Sequence, residues 1–129
     1  MPKLLKKFAV VKGIYGSTSM DGPQVIDSDI FFELYKAYKK YYLIVINRSY
    51  VITTIRFSNF LTAMMLFKDM QKDALSKGNT ISEEVPYWVI PPRFSMAFWK
   101  RIKRRRITNM LALTGVFDLY RLKDYLGQH

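Results

Sequence analysis

Two strand-length apolar runs joined by a two-residue connection constrain the fold of this chain more than any other feature. Tyr41 to Ile46 (YYLIVI) is continuously apolar, Ser49 to Phe57 (SYVITTIRF) is rich in β-branched residues, and only Asn47 and Arg48 separate them. Runs of this length and composition are strands, and so short a connection leaves an antiparallel hairpin as the local solution. A central hairpin implies a sheet, and a sheet with an apolar face must be covered.

The flanking segments supply the cover. Lys7 to Ile14 reads as a first strand, with Val10 and Val11 in an apolar run that Gly13 and Gly16 end, and residues 16–24 (GSTSMDGPQ) read as a loop. Asp27, Ser28 and Asp29 offer a helix cap and first-turn acids, while Ile30, Phe31, Leu34, Tyr35 and Tyr38 are spaced for a helix reaching Lys39. Ser58 is placed to cap a second helix in which Phe60, Met64, Phe67, Gln71 and Ala74 share a face, with Gly78 as its stop. Glu84 to Ile90 reads as a fourth strand, and Pro86 puts it at a sheet edge or a strand start. Pro91 and Pro92 break the chain before a third helix, where Phe94, Phe98 and Ile102 repeat every four residues and pack inward. Ile107 to Leu113 prolong it, and Val116, Leu119, Leu122 and Leu126 mark a final helix.

The resulting order, β-α-β-β-α-β, is that of a split βαβ, ferredoxin-like α+β fold with helices on one face, followed by a basic C-terminal helix and a final helix. With 129 residues, half of them apolar, the chain suits one compact domain. Residues 1–90 would form its α/β core and residues 91–129 a helical extension.

Residues 8–90 resemble the RNA-recognition-motif family in the spacing of helix DSDIFFELYKAYKKYY, strand LIVI, strand SYVITTIRF and helix SNFLTAMMLFKDM. The third strand of that family carries a basic residue first and aromatic residues at its third, fifth and eighth places, some of which stack on bases. With Arg48 first, Tyr50, Ile52 and Ile55 take those places. With Phe57 last, Ile52 and Thr54 take the stacking places, and neither register supplies the aromatic pair. The resemblance implies a ferredoxin-like sheet, and the missing aromatic pair argues against the family's base stacking on that sheet.

Several chemistries are excluded. The chain has no cysteine and a single histidine, His129, which removes disulfides, thiolate metal sites and Cys or His nucleophile relays. Absence of cysteine fits a reducing cytoplasmic or intracellular setting, or a virion. The short run Phe8 to Val11, interrupted at Lys12, is too brief for a signal-peptide core, and no apolar run reaches membrane-spanning length. The acid pairs Asp27/Asp29, Asp69/Asp73 and Glu83/Glu84 read as helix-start charges and surface ion pairs with neighbours such as Lys68 and Lys72, not as acid/base machinery or a metal cage. Gly13-Ile14-Tyr15-Gly16 reads as a strand-ending turn; no Lys-Ser or Lys-Thr follows to complete a phosphate loop. No enzymatic activity and no cofactor are expected.

Charge is where the sequence speaks about function. Residues 1–20 contain Lys3, Lys6, Lys7 and Lys12 without an acid, and residues 85–117 contain Arg93, Lys100, Arg101, Lys103, Arg104, Arg105 and Arg106 without an acid. These eleven positive charges equal the net charge of +11, so everything else is balanced. Acid-free blocks of this kind suit a polyanion, and solubility alone does not require them. The expectation is a nucleic-acid-binding module, for RNA or single strands, in a ribonucleoprotein or a viral or phage core. Phosphate contacts would come from Arg93, Lys100, Arg101, Lys103, Arg104, Arg105 and Arg106, assisted by Lys3, Lys6 and Lys7, with stacking from Trp99 or Tyr50. Two alternatives use the same residues differently: an anionic membrane surface penetrated by Phe98 and Trp99, or a homo-oligomer or larger assembly formed through Met64, Met65 and Met70.

Overall fold

A computed structural model of the chain describes residues 2–11, 28–47, 50–82, 94–113 and 116–127. Four strands come first: β1 (Lys3–Val11), β2 (Ser28–Ala37), β3 (Lys40–Asn47) and β4 (Tyr50–Phe57). They are followed by α1 (Phe60–Ser76), β5 (Thr80–Ser82), α2 (Met96–Ile102), a 3-10 turn at Leu111–Leu113 and α3 (Leu119–Leu126). The sheet order is β4-β3-β2-β1-β5 and every pairing is antiparallel. This meander replaces the expected split βαβ order, and with it the ferredoxin-like topology that the RNA-recognition-motif resemblance implied.

The difference originates in one segment. Residues expected to form the first helix are β2, in which Phe32 and Leu34 point to one face while Phe31, Glu33, Tyr35 and Ala37 point to the other. Because both faces of β2 are covered, its apolar residues fall at helical as well as alternating spacing, and periodicity alone does not separate the two. The β2–β3 connection is a two-residue turn at Tyr38 and Lys39, with φ of 52° and 62°. Positive φ at both central residues is the type I′ geometry whose twist suits a hairpin, adopted here without glycine.

The sheet lies between two layers of helix, not under helices on a single face. On one face, Phe8, Phe32, Leu34, Leu43 and Ile55 pack against Leu66, Phe67 and Met70 of α1, and Leu113, Phe117 and Leu122 extend that core. Phe8 stacks on Phe32 at 4.4 Å and meets Phe67 edge-on at 5.1 Å. On the other face, Ala9, Phe31, Tyr42, Ile44 and Ile46 pack against Trp99 and Ile102 of α2. Burying side chains of this size stabilises by roughly 1.5–3 kcal/mol each, so α2 is fixed by two anchors despite its short length.

One helix starts and another ends differently from expectation. Asn59, not Ser58, caps α1: its side chain accepts from Leu61 N at 2.7 Å and Thr62 N at 3.4 Å. The buried stripe of α1 runs through Ala63, Leu66, Phe67, Met70 and Ala74, leaving Phe60 exposed and Met64 and Gln71 at its border. Gly78 ends the helix at φ 85°, in the left-handed region that favours glycine. The third helix does not continue through Ile107 to Leu113. Instead the chain crosses the edge of β4, where Ile107 bridges Ile55, Arg56 N donates to Arg106 O at 2.7 Å and Thr108 N donates to Thr54 O at 3.1 Å. These bonds satisfy part of an edge that would otherwise invite pairing with another chain. The expected strand Glu84–Ile90, the glycine turn at 13–16 and the loop 16–24 lie outside the described residues.

Candidate nucleic-acid interface

The basic stretch is built on α2. Ser95 caps the helix by accepting from Phe98 N at 3.2 Å, and Trp99 and Ile102 then turn toward the sheet. Helical spacing sends Lys100 and Arg101 outward, in the last turn, where cations also interact favourably with the carbonyl end of the helix. Arg104 and Arg105 follow directly and are exposed. Among the described residues, no ion pair engages Lys100, Arg101, Lys103, Arg104 or Arg105, while the ion pairs present join α1 to its own C-terminal end and to α3.

Some members of the cluster are held by aromatic rings or by the backbone. Lys103 Nζ sits 5.0 Å from the centre of the Tyr38 ring, and the Arg101 guanidinium 5.8 Å from that of Phe98. These are cation–π contacts, which orient a cation without neutralising it. The Arg106 side chain turns away to donate to Leu126 O at the end of α3, so it fastens the C-terminal helix. Arg56 on β4, which the charge windows did not single out, donates to Lys103 O and fixes the point where the chain leaves α2. Through Tyr38 the β2–β3 turn, which also carries the exposed Lys39, lies against this cluster.

The other expected contributors are distributed as follows. Trp99 is 3% exposed, edge-on to Tyr35 at 5.0 Å and to Tyr42 at 5.7 Å, so its ring belongs to the core and stacking on a base is corrected to packing. Phe98 is half-buried and stacked on Phe94 at 4.6 Å. Lys3 pairs with Lys36 and Lys6 with Leu34, on the α1 face of the sheet and opposite the face that carries α2. Lys3 and Lys6 are thus not brought together with the arginines: the sheet stands between them. Lys7 lies on the α2 face, across from Glu33. Tyr50 opens β4 opposite Asn47, and Arg93 lies outside the described residues.

One acid is buried on the sheet face that carries α2. Glu33 is 3% exposed and accepts from the Tyr35 hydroxyl at 2.9 Å. Burial pushes its carboxyl above the ordinary value, and the Tyr35 hydrogen bond and the Lys7 charge oppose that rise. Burial and the neighbouring Glu33 in turn raise Tyr35 well above the usual phenol range. Tyr42 is likewise raised by burial, and its hydroxyl has no hydrogen-bond partner among the described residues. Asp69 and Asp73 take Arg121 as their partner; Lys77 also pairs with Asp73, so the expected pairing with Lys68 and Lys72 is replaced.

A groove completes the site. Between α2 and β4, Val51, Ile52, Phe98, Arg101, Ile102, Arg105, Thr108 and Asn109 line a cavity of about 230 Å³. The segment Thr108–Asn109 was expected to be helix, which hid its place beside the arginines. Of the methionines proposed for assembly, Met70 is buried in the core, Met64 is half-buried and Met65 is exposed. Among the described residues no group of acids or histidines is arranged to hold a metal, and no helix is long and apolar enough to cross a membrane. In comparisons with known proteins, no family model, no curated sequence and no solved structure matches the chain.

Proposed function

We propose that the protein is a non-enzymatic nucleic-acid-binding module that grips the phosphate backbone through Lys100, Arg101, Lys103, Arg104 and Arg105. The observation that carries this reading is a rigidly anchored cluster of cations left without carboxylate partners among the described residues. A helix face kept for solubility mixes signs at neighbouring turns, whereas like charges held this close repel one another until a polyanion neutralises them. Counterion release is then the main driving term. The membrane alternative is weakened by the burial of Trp99, since a ring that closes the core is not available to enter lipid.

Binding of RNA, single-stranded DNA, duplex DNA and anionic vesicles across a salt series tests the proposal. Replacing Arg101, Arg104 and Arg105 together by Gln is expected to weaken single-strand binding and to reduce the slope of log K against log salt by roughly 2, from about 0.7 per phosphate contact. Undiminished binding by that variant would remove the cluster from the interface, and vesicle binding alone would favour the membrane alternative.

A further inference from the structure

We infer that the groove between α2 and β4 receives one unpaired nucleobase of a bound single strand, with Arg101 and Arg105 holding the phosphates on either side of it. This rests on the polyanion reading above and adds a recognition element to it.

The lining has the polarity of a base. Val51, Ile52, Phe98 and Ile102 give apolar wall, Thr108 and Asn109 give polar wall, and the two arginines stand among them. A volume near 230 Å³ lies below the ~300–1,000 Å³ of pockets for drug-sized ligands, which suits a one- or two-ring heterocycle. Asn109 Oδ1 accepts from Ala112 N at 3.3 Å, so its amide hydrogens are what it can offer to a ligand, and they match a carbonyl or ring nitrogen on a base edge. The Thr108 hydroxyl is 2.6 Å from that of Thr54, which fixes the wall in place and leaves the reading of the base to Asn109.

Other occupants fit less of this surface. A bare phosphate would satisfy the arginines and leave the apolar wall uncovered, while an acyl chain would leave the Asn109 amide unpaired. A base within a duplex is already stacked and paired, so entry requires a single strand, a loop or an end. Arginine side chains beside the groove serve twice, since the guanidinium plane also packs on base faces.

The test compares a single-stranded oligonucleotide with an abasic strand of equal length and charge, as RNA and as DNA. Intact protein is expected to prefer the base-bearing strand by roughly tenfold, within the range that base contacts give. Asn109→Trp and Val51→Phe each fill the groove without changing charge, and each is expected to abolish the preference while abasic binding stays unchanged. Thermal unfolding of both variants checks that at least one retains the native fold. Equal binding of the two strands by the unaltered protein, or a preference that survives in a folded groove-filled variant, overturns the groove. Salt-sensitive abasic binding would then still stand for the basic face, whereas failure to bind either strand overturns both readings.

Discussion

The Arg121 guanidinium on α3 donates to Asp73 Oδ1 on α1 at 2.9 Å, and its second arm reaches Asp69 one turn earlier. The Tyr125 hydroxyl adds a bond of 2.8 Å to the other oxygen of Asp69, and Lys77 Nζ approaches Asp73 Oδ2 at 2.9 Å. Two donors of the last helix, Arg121 and Tyr125, thus clip it to two carboxylates of the first, and Lys77 joins Asp73 from the end of α1 itself. Arg121→Ala is expected to lower stability by about 1–3 kcal/mol, because it strips hydrogen bonds from a buried carboxylate while Lys77 remains to balance part of the charge. Arg121→Lys should lie between, since an ammonium cannot span both acids as the planar fork does. Urea unfolding of the two variants measures this, and equal midpoints for all three proteins would show the clip to be idle.

Glu33 sets an expectation for pH. Its folded carboxyl titrates above the ordinary value of 4.5 because burial penalises the anion. The folded state therefore holds a proton that the unfolded state has released, and stability falls as pH rises from that ordinary value through the raised one. Glu33→Gln keeps an acceptor for the Tyr35 hydroxyl and removes the titration. Its unfolding midpoint should match the parent at the acidic end and exceed it near neutrality, whereas parallel pH curves would show that Glu33 does not govern this slope.

The glycine-free type I′ turn should be improvable. Left-handed backbone costs an ordinary residue roughly 1–2 kcal/mol, and glycine gives part of that back as unfolded-state entropy. Lys39→Gly, which leaves Tyr38 against Lys103, is expected to raise stability by about 0.5–1 kcal/mol. A lower thermal midpoint in the variant would mean that the Lys39 side chain contributes more than its backbone geometry costs.

The hairpin of YYLIVI and SYVITTIRF was legible because both runs are apolar, β-branched and too closely spaced for anything but antiparallel pairing. The helix between Asn59 and Gly78 was legible from its cap region and its stop. The segment Ile30 to Tyr38 was not: it is covered on both faces, and alternation is visible only when one face is wet. That one segment, strand instead of helix, separates the meander from a split βαβ order. Within the site, the acid-free window located the arginines, and the inward spacing of Phe98 and Ile102 announced that α2 packs on something. Periodicity shows that a face is buried and does not show what buries it, so neither the opposite side of the sheet nor the fate of Trp99 was readable. Arg56 and Asn109 escaped notice because their relation to the cluster arises from the crossing of the β4 edge, a contact between residues about fifty positions apart.

The packing of α2 on the sheet has a consequence for how the molecule comes into being. Among the described residues all five strands are present by Ser82, yet one face of the sheet is closed only by residues from Phe94 onward. A ribosome-bound chain that has released only β1 to β5 would carry Phe31, Tyr42, Ile44 and Ile46 bare to solvent, the kind of surface that chaperones hold and that aggregates when left alone. Trp99 and Ile102 close it late. The basic stretch thus emerges together with the residues that close this face of the sheet, in the same span of synthesis.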